Sequence, residues 1–574
     1  MRHRPSSLPA AGTVLLCAGS LLAGDRLTYV DSSAGLLTPT MDSGRTEIEF
    51  GDLDGDGHVD MAMIGDHGSP YIGSGQHGVT VWFGDGAGHW SVFQYGDFGY
   101  GGIALGDVNH DGLMDVGYGM HHDYSDTDLG DQLLEVALGD GTGKYWTPWD
   151  DGLATSGESW GMFATDFADV DNDGDLDVGS ISFGCCAGLH VYLNHGDGTW
   201  TQSWGFVGGN SSMEFSFGDV NGDGHADFAA AHGDGTVYFG DGTGGFTLAD
   251  GDLPGGASWR SGISLGDANG DGRDDLSFTT AAEGLTVWSW VAAGHWQNLS
   301  GSLPASGDFE ATQIVDMDLD GHGDLVAFAT GEPGLLAVYG GDGAGNWSEL
   351  AAVTTADNCG FAALRAGTDA DHNGFPDVVF IAEENCSFWV GGTNRPHFYA
   401  ESSTPSAPWV FPKSPRGGET LVAGSVRFID WHAAVPGDQP ATVDIDLSLL
   451  GPSGPWTALV TGLPNNGRYQ WLLPAELPAS SDCHLRFTLH VPGRSSTTTV
   501  TPGPFTILGQ QVAATGDADG DGDVDLEDHA AFMACLTGPG GGLDPDCPVF
   551  DWNDDYDVDL EDAARFQGVF TGGQ

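Results

Sequence analysis

The sequence predicts a mainly β protein in three parts: a seven-bladed β-propeller, an Ig-like β-sandwich, and a small helical tail built on EF-hand-like loops. Three observations predict this. A nine-residue acidic motif with Gly at its sixth place recurs seven times, at steps of 48 to 62 residues. Short runs of alternating apolar and polar residues flank each copy, which is the period of strands rather than helices. No convincing helical period precedes residue 525. A period of roughly 20–50 residues marks solenoids, propellers or arrays. About four short strands per repeat fits a propeller, whose ring closure hides the sheet edges that a linear array exposes.

The first 24 residues have the form of a secretory signal. Arg2 and Arg4 give the positive start, and Thr13 to Leu22 is mostly apolar. Leu16 before Cys17 argues against a lipid anchor. No later stretch reaches the roughly 18 apolar residues of a membrane span. The mature chain is therefore expected outside the cell or at its surface.

Residues 25–402 carry the repeats. The first motif places Asp52, Asp54, Asp56 and Asp60 at positions one, three, five and nine. The second has Asp107, Asn109, Asp111 and Asp115, and the third Asp169, Asp171, Asp173 and Asp177. Then come Asp219, Asn221, Asp223 and Asp227; Asp267, Asn269, Asp271 and Asp275; Asp316, Asp318, Asp320 and Asp324; and Asp369, Asp371, Asn373 and Asp377. Alternating oxygen ligands on a tight loop are what a hard cation such as Ca2+ requires, and with the seventh carbonyl they nearly fill its shell. The expected ions are therefore several and structural. Downstream of most motifs an alternating strand ends in a glycine turn, as at Val79 to Trp90, Glu135 to Trp146, Thr236 to Phe246 and Val338 to Trp347. Gly and Asp tolerate the positive φ of a hairpin turn. The fifth repeat has Trp288-Ser289-Trp290 at that place and the seventh Val390-Gly391-Gly392.

The pairing of these motifs with FGDG turns resembles the FG-GAP/VCBS repeat of integrin α-chain propellers and bacterial surface proteins. The resemblance implies Ca2+ in the hairpin joining the first two strands of each blade. It also implies a binding face opposite the metal loops, where a protein or glycan would dock. The segments reaching that face include Asp66 to Gly78 and Gly119 to Asp131. Tyr124, Trp160, Trp259 and Arg260 are the expected contacts, because aromatics and Arg are common anchors on loops carried by a rigid scaffold.

Residues 403–414 are rich in Pro and Ser and read as a linker. Residues 415–509 alternate again, notably through Val443, Ile445, Leu447 and Leu449, and predict a β-sandwich of about 100 residues. The stretches Ser414 to Trp431, Arg468 to Trp471 and Pro504 to Ile507 give it a resemblance to the KRE/KNH-like domain, and a spacer role is expected. In residues 513–574, Asp517, Asp519, Asp521, Asp523, Asp525 and Asp528 occupy places one, three, five, seven, nine and twelve of an EF-hand-type loop. Asp551, Asn553, Asp555, Asp557, Asp559 and Asp562 repeat the pattern, with Tyr556 in the sixth place. Helices are expected over Ala530 to Leu536 and Ala563 to Phe570. Two such loops resemble a type I dockerin, and the resemblance implies a cohesin partner.

The whole chain holds 16 Lys and Arg against 83 acids, a formal charge of −67. Phosphate binding needs clustered Lys and Arg, so nucleic acid is excluded as a partner. Yet 40% hydrophobic residues and 18 Trp argue for packed cores rather than disorder. In an oxidising compartment cysteines pair, and Cys359–Cys386 and Cys535–Cys547 are the expected bonds; Cys185, Cys186 and Cys483 stay unassigned. No GxSxG, HExxH or phosphate loop occurs. The expected function is a secreted binding, adhesion or scaffold module. The alternative is a carbohydrate-active enzyme targeted by its tail.

Overall fold

The computed structural model describes residues 26–36, 47–65, 78–99, 101–120, 128–154, 161–185, 188–254, 261–384 except 281 and 283, and 393–509 except 438. In the tail it describes 526–538, 547, 550–552, 557–560, 562–563 and 566. The chain forms two compact units, one holding the repeats with the sandwich and the other the tail.

The repeats fold as antiparallel sheets. The first pairs Glu49–Gly51, Asp60–Ile64, Val79–Gly84 and Trp90–Tyr95 in chain order. Sheets of the same order follow in the later repeats, one of them extended by Gly184–Cys185. The second strands are buried along their whole length, except that Glu383 and Glu384 at the end of Asp377–Glu384 are half-buried. In Asp324–Ala329 every residue is buried, because neighbouring sheets cover both faces. A separate apolar core lies between each pair of consecutive sheets. Phe167, Val178 and Tyr192 pack against Val108 and Val136, for example. The last sheet packs on the first through Val379, Ile381 and Phe398 against Phe50, Met61 and Trp82.

Closure also occurs within a sheet. The last repeat supplies Gly360–Thr368, Asp377–Glu384 and Thr393–Glu401, and the fourth strand is Tyr29–Asp31 from the other end of the repeat region. Val390-Gly391-Gly392 is therefore not the counterpart of the glycine turn. Glu401 is, since its N–H meets Asp377 where the other repeats present a turn residue. Residues 390–392 lie outside the described residues.

The innermost strands line a central cavity of about 140 Å3. Side chains there cross from each repeat to the next. Glu47 accepts from the Ile103 and Thr165 amides at 3.1 and 3.0 Å, and Asp166 from Phe217 at 3.0 Å. Glu214 accepts from Ile263 at 2.9 Å, Ser264 from Ile314 at 3.0 Å, and Gln313 from Ala366 at 2.6 Å. Arg365 meets Glu49 at 2.7 Å and joins the last repeat to the first. Burial raises Glu49 to about 7 even with Arg365 opposing it.

Residues 409–507 form two facing sheets. Trp409–Ser414, Val426–Ala434 and Arg468–Leu472 make the smaller. Thr442–Ser448 and Ser480–His490 are the centre of the larger. The alternation of Val443, Ile445 and Leu447 buries one face, as the pattern predicts. The expected linker is half strand: Trp409–Ser414 pairs with Val426–Ala434, because Trp409 and Val410 supply apolar surface that the Pro and Ser content obscures. In the tail, the helix Leu526–Cys535 starts four residues before the expected one. Positions 562, 563 and 566 are helical. Cys535 and Cys547 are bonded, their Cα atoms 5.6 Å apart. Cys386 lies outside the described residues, and Cys483 is a buried free thiol.

Replacing Arg365 by Met should lower stability by about 1–2 kcal/mol. That is less than the loss of a partner from a fully buried pair, since the Arg365 side chain is 35% exposed. The double variant Glu49→Gln/Arg365→Met should recover part of the loss in thermal unfolding.

Candidate metal centres

Each repeat's acidic loop joins its first two strands and has one internal bonding scheme. The first-place Asp accepts the amide of the sixth-place Gly through one oxygen, at 2.8–3.2 Å in all seven loops. The third-place side chain accepts the fifth amide, and the fifth accepts the seventh. Asp318 with Asp320 and Asp320 with His322 show this in the sixth loop. These turns hold the side-chain oxygens toward the loop interior.

The ninth-place Asp does something the sequence pattern did not reveal. One oxygen accepts the amide of the loop's second residue, as Asp324 does from Met317 at 2.8 Å. The other accepts an amide from the turn after the third strand: Gly84 to Asp60, Gly139 to Asp115, Gly240 to Asp227 and Gly341 to Asp324, all at 2.8–3.0 Å. Asn194 and Glu401 donate the same bond to Asp177 and Asp377. In the fifth repeat Ser289 takes this place and hydrogen-bonds Asp275. The two motifs occur together because one carboxylate bonds to both.

The fourth place is left-handed in every loop. Gly fills it in three loops; His110, Asn172, Leu319 and His372 fill it in the others, at φ of 57–61°. Leu there costs roughly 1–2 kcal/mol of backbone strain, so the loop's own bonds must impose it.

Carboxylate oxygens converge within 4.8 Å of one another in four propeller loops: Asp52, Asp54 and Asp60; Asp169, Asp171 and Asp177; Asp316, Asp318 and Asp320; and Asp369, Asp371 and Asp377. In the second, fourth and fifth loops Asn109, Asn221 and Asn269 take the third place, so fewer carboxylates meet there. Asp271 is also held by Arg273 at 2.6 Å. The free oxygens are telling. Oδ1 of Asp52, Asp169 and Asp369 is buried without a hydrogen-bond partner. Burial, and then neighbouring carboxylates, push Asp60 up to about 8 and Asp219 to about 7. Asp169 and Asp316 also rise to about 7, through burial that Arg427 and Arg416 partly oppose. Buried carboxylates with an unused oxygen fit a divalent cation's demand for oxygen ligands.

In the tail, Asp557, Asp559 and Asp562 are buried and bring oxygens within 4.8 Å of one another. Asp551 is buried too. Asn553, Asp555, Asp517, Asp519, Asp521, Asp523 and Asp525 lie outside the described residues, as does the side chain of Asp528. The expected partner contacts Tyr124, Trp160, Trp259 and Arg260 also lie outside them.

The smaller sheet of the sandwich lies across the metal loops, where the sequence suggested only a spacer. Val426 donates its amide to Asp169 Oδ2 at 2.7 Å. Asn466 reaches Asp52 Oδ2 at 3.2 Å and Arg416 reaches Asp316 Oδ2 at 3.0 Å. Gln470 bonds both the amide and the carbonyl of Asp107, at 3.0 and 2.7 Å. Lys413, drawn below its usual pKa by burial, donates to the Gly367 carbonyl. At sixth-place Gly272, at φ 84°, a Cβ would overlap the Gly418 backbone, and at Gly374 it would overlap the Trp409 ring.

Residues 169–230 match the FG-GAP-like repeat model. That stretch holds the third loop, the last three strands of its sheet and the fourth loop. Among solved structures, BBS1N in complex with ARL6DN is 12% identical, with 66% of this chain and 99% of that one covered and a TM-score of 0.41. A Lactobacillus plantarum protein is 14% identical over 56% and 87% of the two chains, at 0.38. The WD40 domain of Toxoplasma gondii coronin is 9% identical over 64% and 90%, at 0.35. No curated protein matches. No helix among the described residues is long and apolar enough to cross a membrane.

Two outcomes are expected. Asp324→Ala leaves the Met317 and Gly341 amides buried without acceptors and should cost about 2–6 kcal/mol, read as a large fall in melting temperature. The second concerns pH. The loop carboxyls of the metal-depleted chain are raised above their unfolded values, so the folded state holds more protons than the unfolded between about pH 4 and 8. Their contribution is present below pH 4 and is lost as pH climbs through the raised values. Metal-depleted protein should melt lower at pH 8.5 than at pH 5, and saturating Ca2+ should abolish that fall.

Proposed function

We propose that this chain is a secreted, calcium-stabilised seven-bladed propeller that acts as a binding or adhesion module, with a dockerin-like tail that docks it to a scaffold. The observation that carries the metal reading is the set of buried, partnerless carboxylate oxygens of Asp52, Asp169 and Asp369, in loops whose carboxylates bring oxygens within 4.8 Å of one another. Ca2+ suits them, being a hard cation that takes six to eight oxygens in flexible geometry. The ions' role is structural: they neutralise acidic hairpins from which the second strand of each blade starts. Seven loops, with cores between consecutive sheets and between the last and the first, support the reading of seven blades.

The binding reading rests on the resemblance, which implies that a protein or glycan docks on the face opposite the metal loops. The sandwich lies over the metal loops themselves. The buried Asp557, Asp559 and Asp562 cluster supports a Ca2+ loop in the tail, and a cohesin is the partner a dockerin-like tail would take. A panel of glycans, surface proteins and cohesins tests the partner side of the reading.

The metal side has a direct test. Chelation at neutral pH should lower the melting temperature by roughly 10 °C or more, because ligand bound only to the folded state stabilises by mass action. Ca2+ should restore it. Mg2+ should restore it poorly, since it prefers a smaller octahedral shell. An unchanged melting curve after chelation refutes the assignment.

A further inference from the structure

The sandwich touches the metal loops at the same carboxylates that would bind the ions. We propose that the metal-loop face is a cation-dependent docking surface for this chain's own β-sandwich, so that bound Ca2+ holds the two together and its removal frees one from the other. The inference rests on the calcium reading above. It adds that the ions act between the propeller and the sandwich as well as within the loops.

The argument starts from Asp169. Its Oδ2 accepts two amides, from Gly174 in its own loop at 3.2 Å and from Val426 of the sandwich at 2.7 Å. Its Oδ1 is buried with no partner, and Asp169, Asp171 and Asp177 bring carboxylate oxygens within 4.8 Å of one another. With Asp169 Oδ1 held on a cation, the side chain would keep the rotamer that offers Oδ2 to Val426. Asp52 is built the same way: Oδ2 accepts from Gly57 and from Asn466 of the sandwich, and Oδ1 is buried without a partner. Outer groups that hydrogen-bond a metal's ligands fix the ligands' orientation, and the metal fixes theirs in return.

Fit depends on loop shape as well as on these bonds. Gly272 and Gly418 approach so closely that neither backbone has room for a displaced loop. Without the ion, three or four carboxylates within one hairpin repel each other and spread the loop, which removes that fit. Arg416 on Asp316 opposes the effect in the sixth loop. Gln470, by contrast, binds only the backbone of Asp107 and relies on the loop keeping its course.

Hydrogen–deuterium exchange of the full chain, with metal content followed by atomic emission, tests this. On chelation at neutral pH, peptides spanning 416–427 and 466–472 should lose protection by tenfold or more in rate. The sandwich core peptides 442–448 and 484–490 should keep theirs. Gln470→Ala should produce part of the same loss with Ca2+ present. Interface peptides that stay protected after the metal has left would overturn the proposal. So would loss of protection in interface and core together, which is unfolding rather than undocking. A chain that takes up no Ca2+ at millimolar concentration fails the underlying calcium reading and is distinguished by the emission measurement alone.

Discussion

Everything in the repeat region turns on how a buried carboxylate disposes of two oxygens. A burial this deep is tolerable only when each oxygen has a donor or a cation. The ninth-place Asp gives both oxygens to amides and so ties the start of the loop to the turn after the third strand. In the first, third and seventh loops the first-place Asp gives one oxygen to the sixth-place Gly and leaves the other buried without a donor. The same residue type is thus fully bonded to amides at one place and left with a free oxygen at another, and the difference is set by which amides lie in reach.

This division of labour governs how the sandwich sits. Scarce cations are placed where the acids are densest: Lys413, Arg416, Arg427 and Arg468 all lie in the segments that cross the metal-loop face. Arg427 donates to Asn172 and to the Gly224 carbonyl, bridging the third and fourth loops. Arg468 is held by Asp430 in a two-pronged pair at 2.8 and 3.0 Å. It is close enough to Glu49 and Asp166 for their charge to strengthen its protonated form. A chain this acidic has few such groups, and those beside the cavity offset part of the acidity of Glu47, Glu49 and Asp166.

The repeats were readable from sequence because their ligands recur at fixed places and their strands alternate. Sheet order and the four-strand repeat follow from that alone. Two things were hidden. The two amide bonds of the ninth Asp cannot be read there, since nothing in DxDxDGxxD says that an amide 13 to 24 residues later will reach it. The sixth-place Gly reads as a turn residue, and φ does require it, but at Gly272 and Gly374 the approach of another part of the chain requires it too. The start of the sandwich was obscured by Pro and Ser around a strand whose apolar residues are few. In the last repeat the glycine turn was sought in the wrong place, because the matching amide comes from Glu401, which resembles no turn residue.

The pairing of Tyr29–Asp31 with Thr393–Glu401 has a kinetic side. These partners lie roughly 370 residues apart, so the chain must bring together two of its most distant segments to complete one sheet. Every other repeat can form its sheet from neighbouring strands, at low loop-closure entropy. The last sheet cannot. Tyr29–Asp31 must wait unpaired until Thr393–Glu401 has been synthesised, and contacts of such sequence separation are the slow ones to form. Until the two pair, the strand's free backbone and the open edge of Thr393–Glu401 are where misassembly would begin.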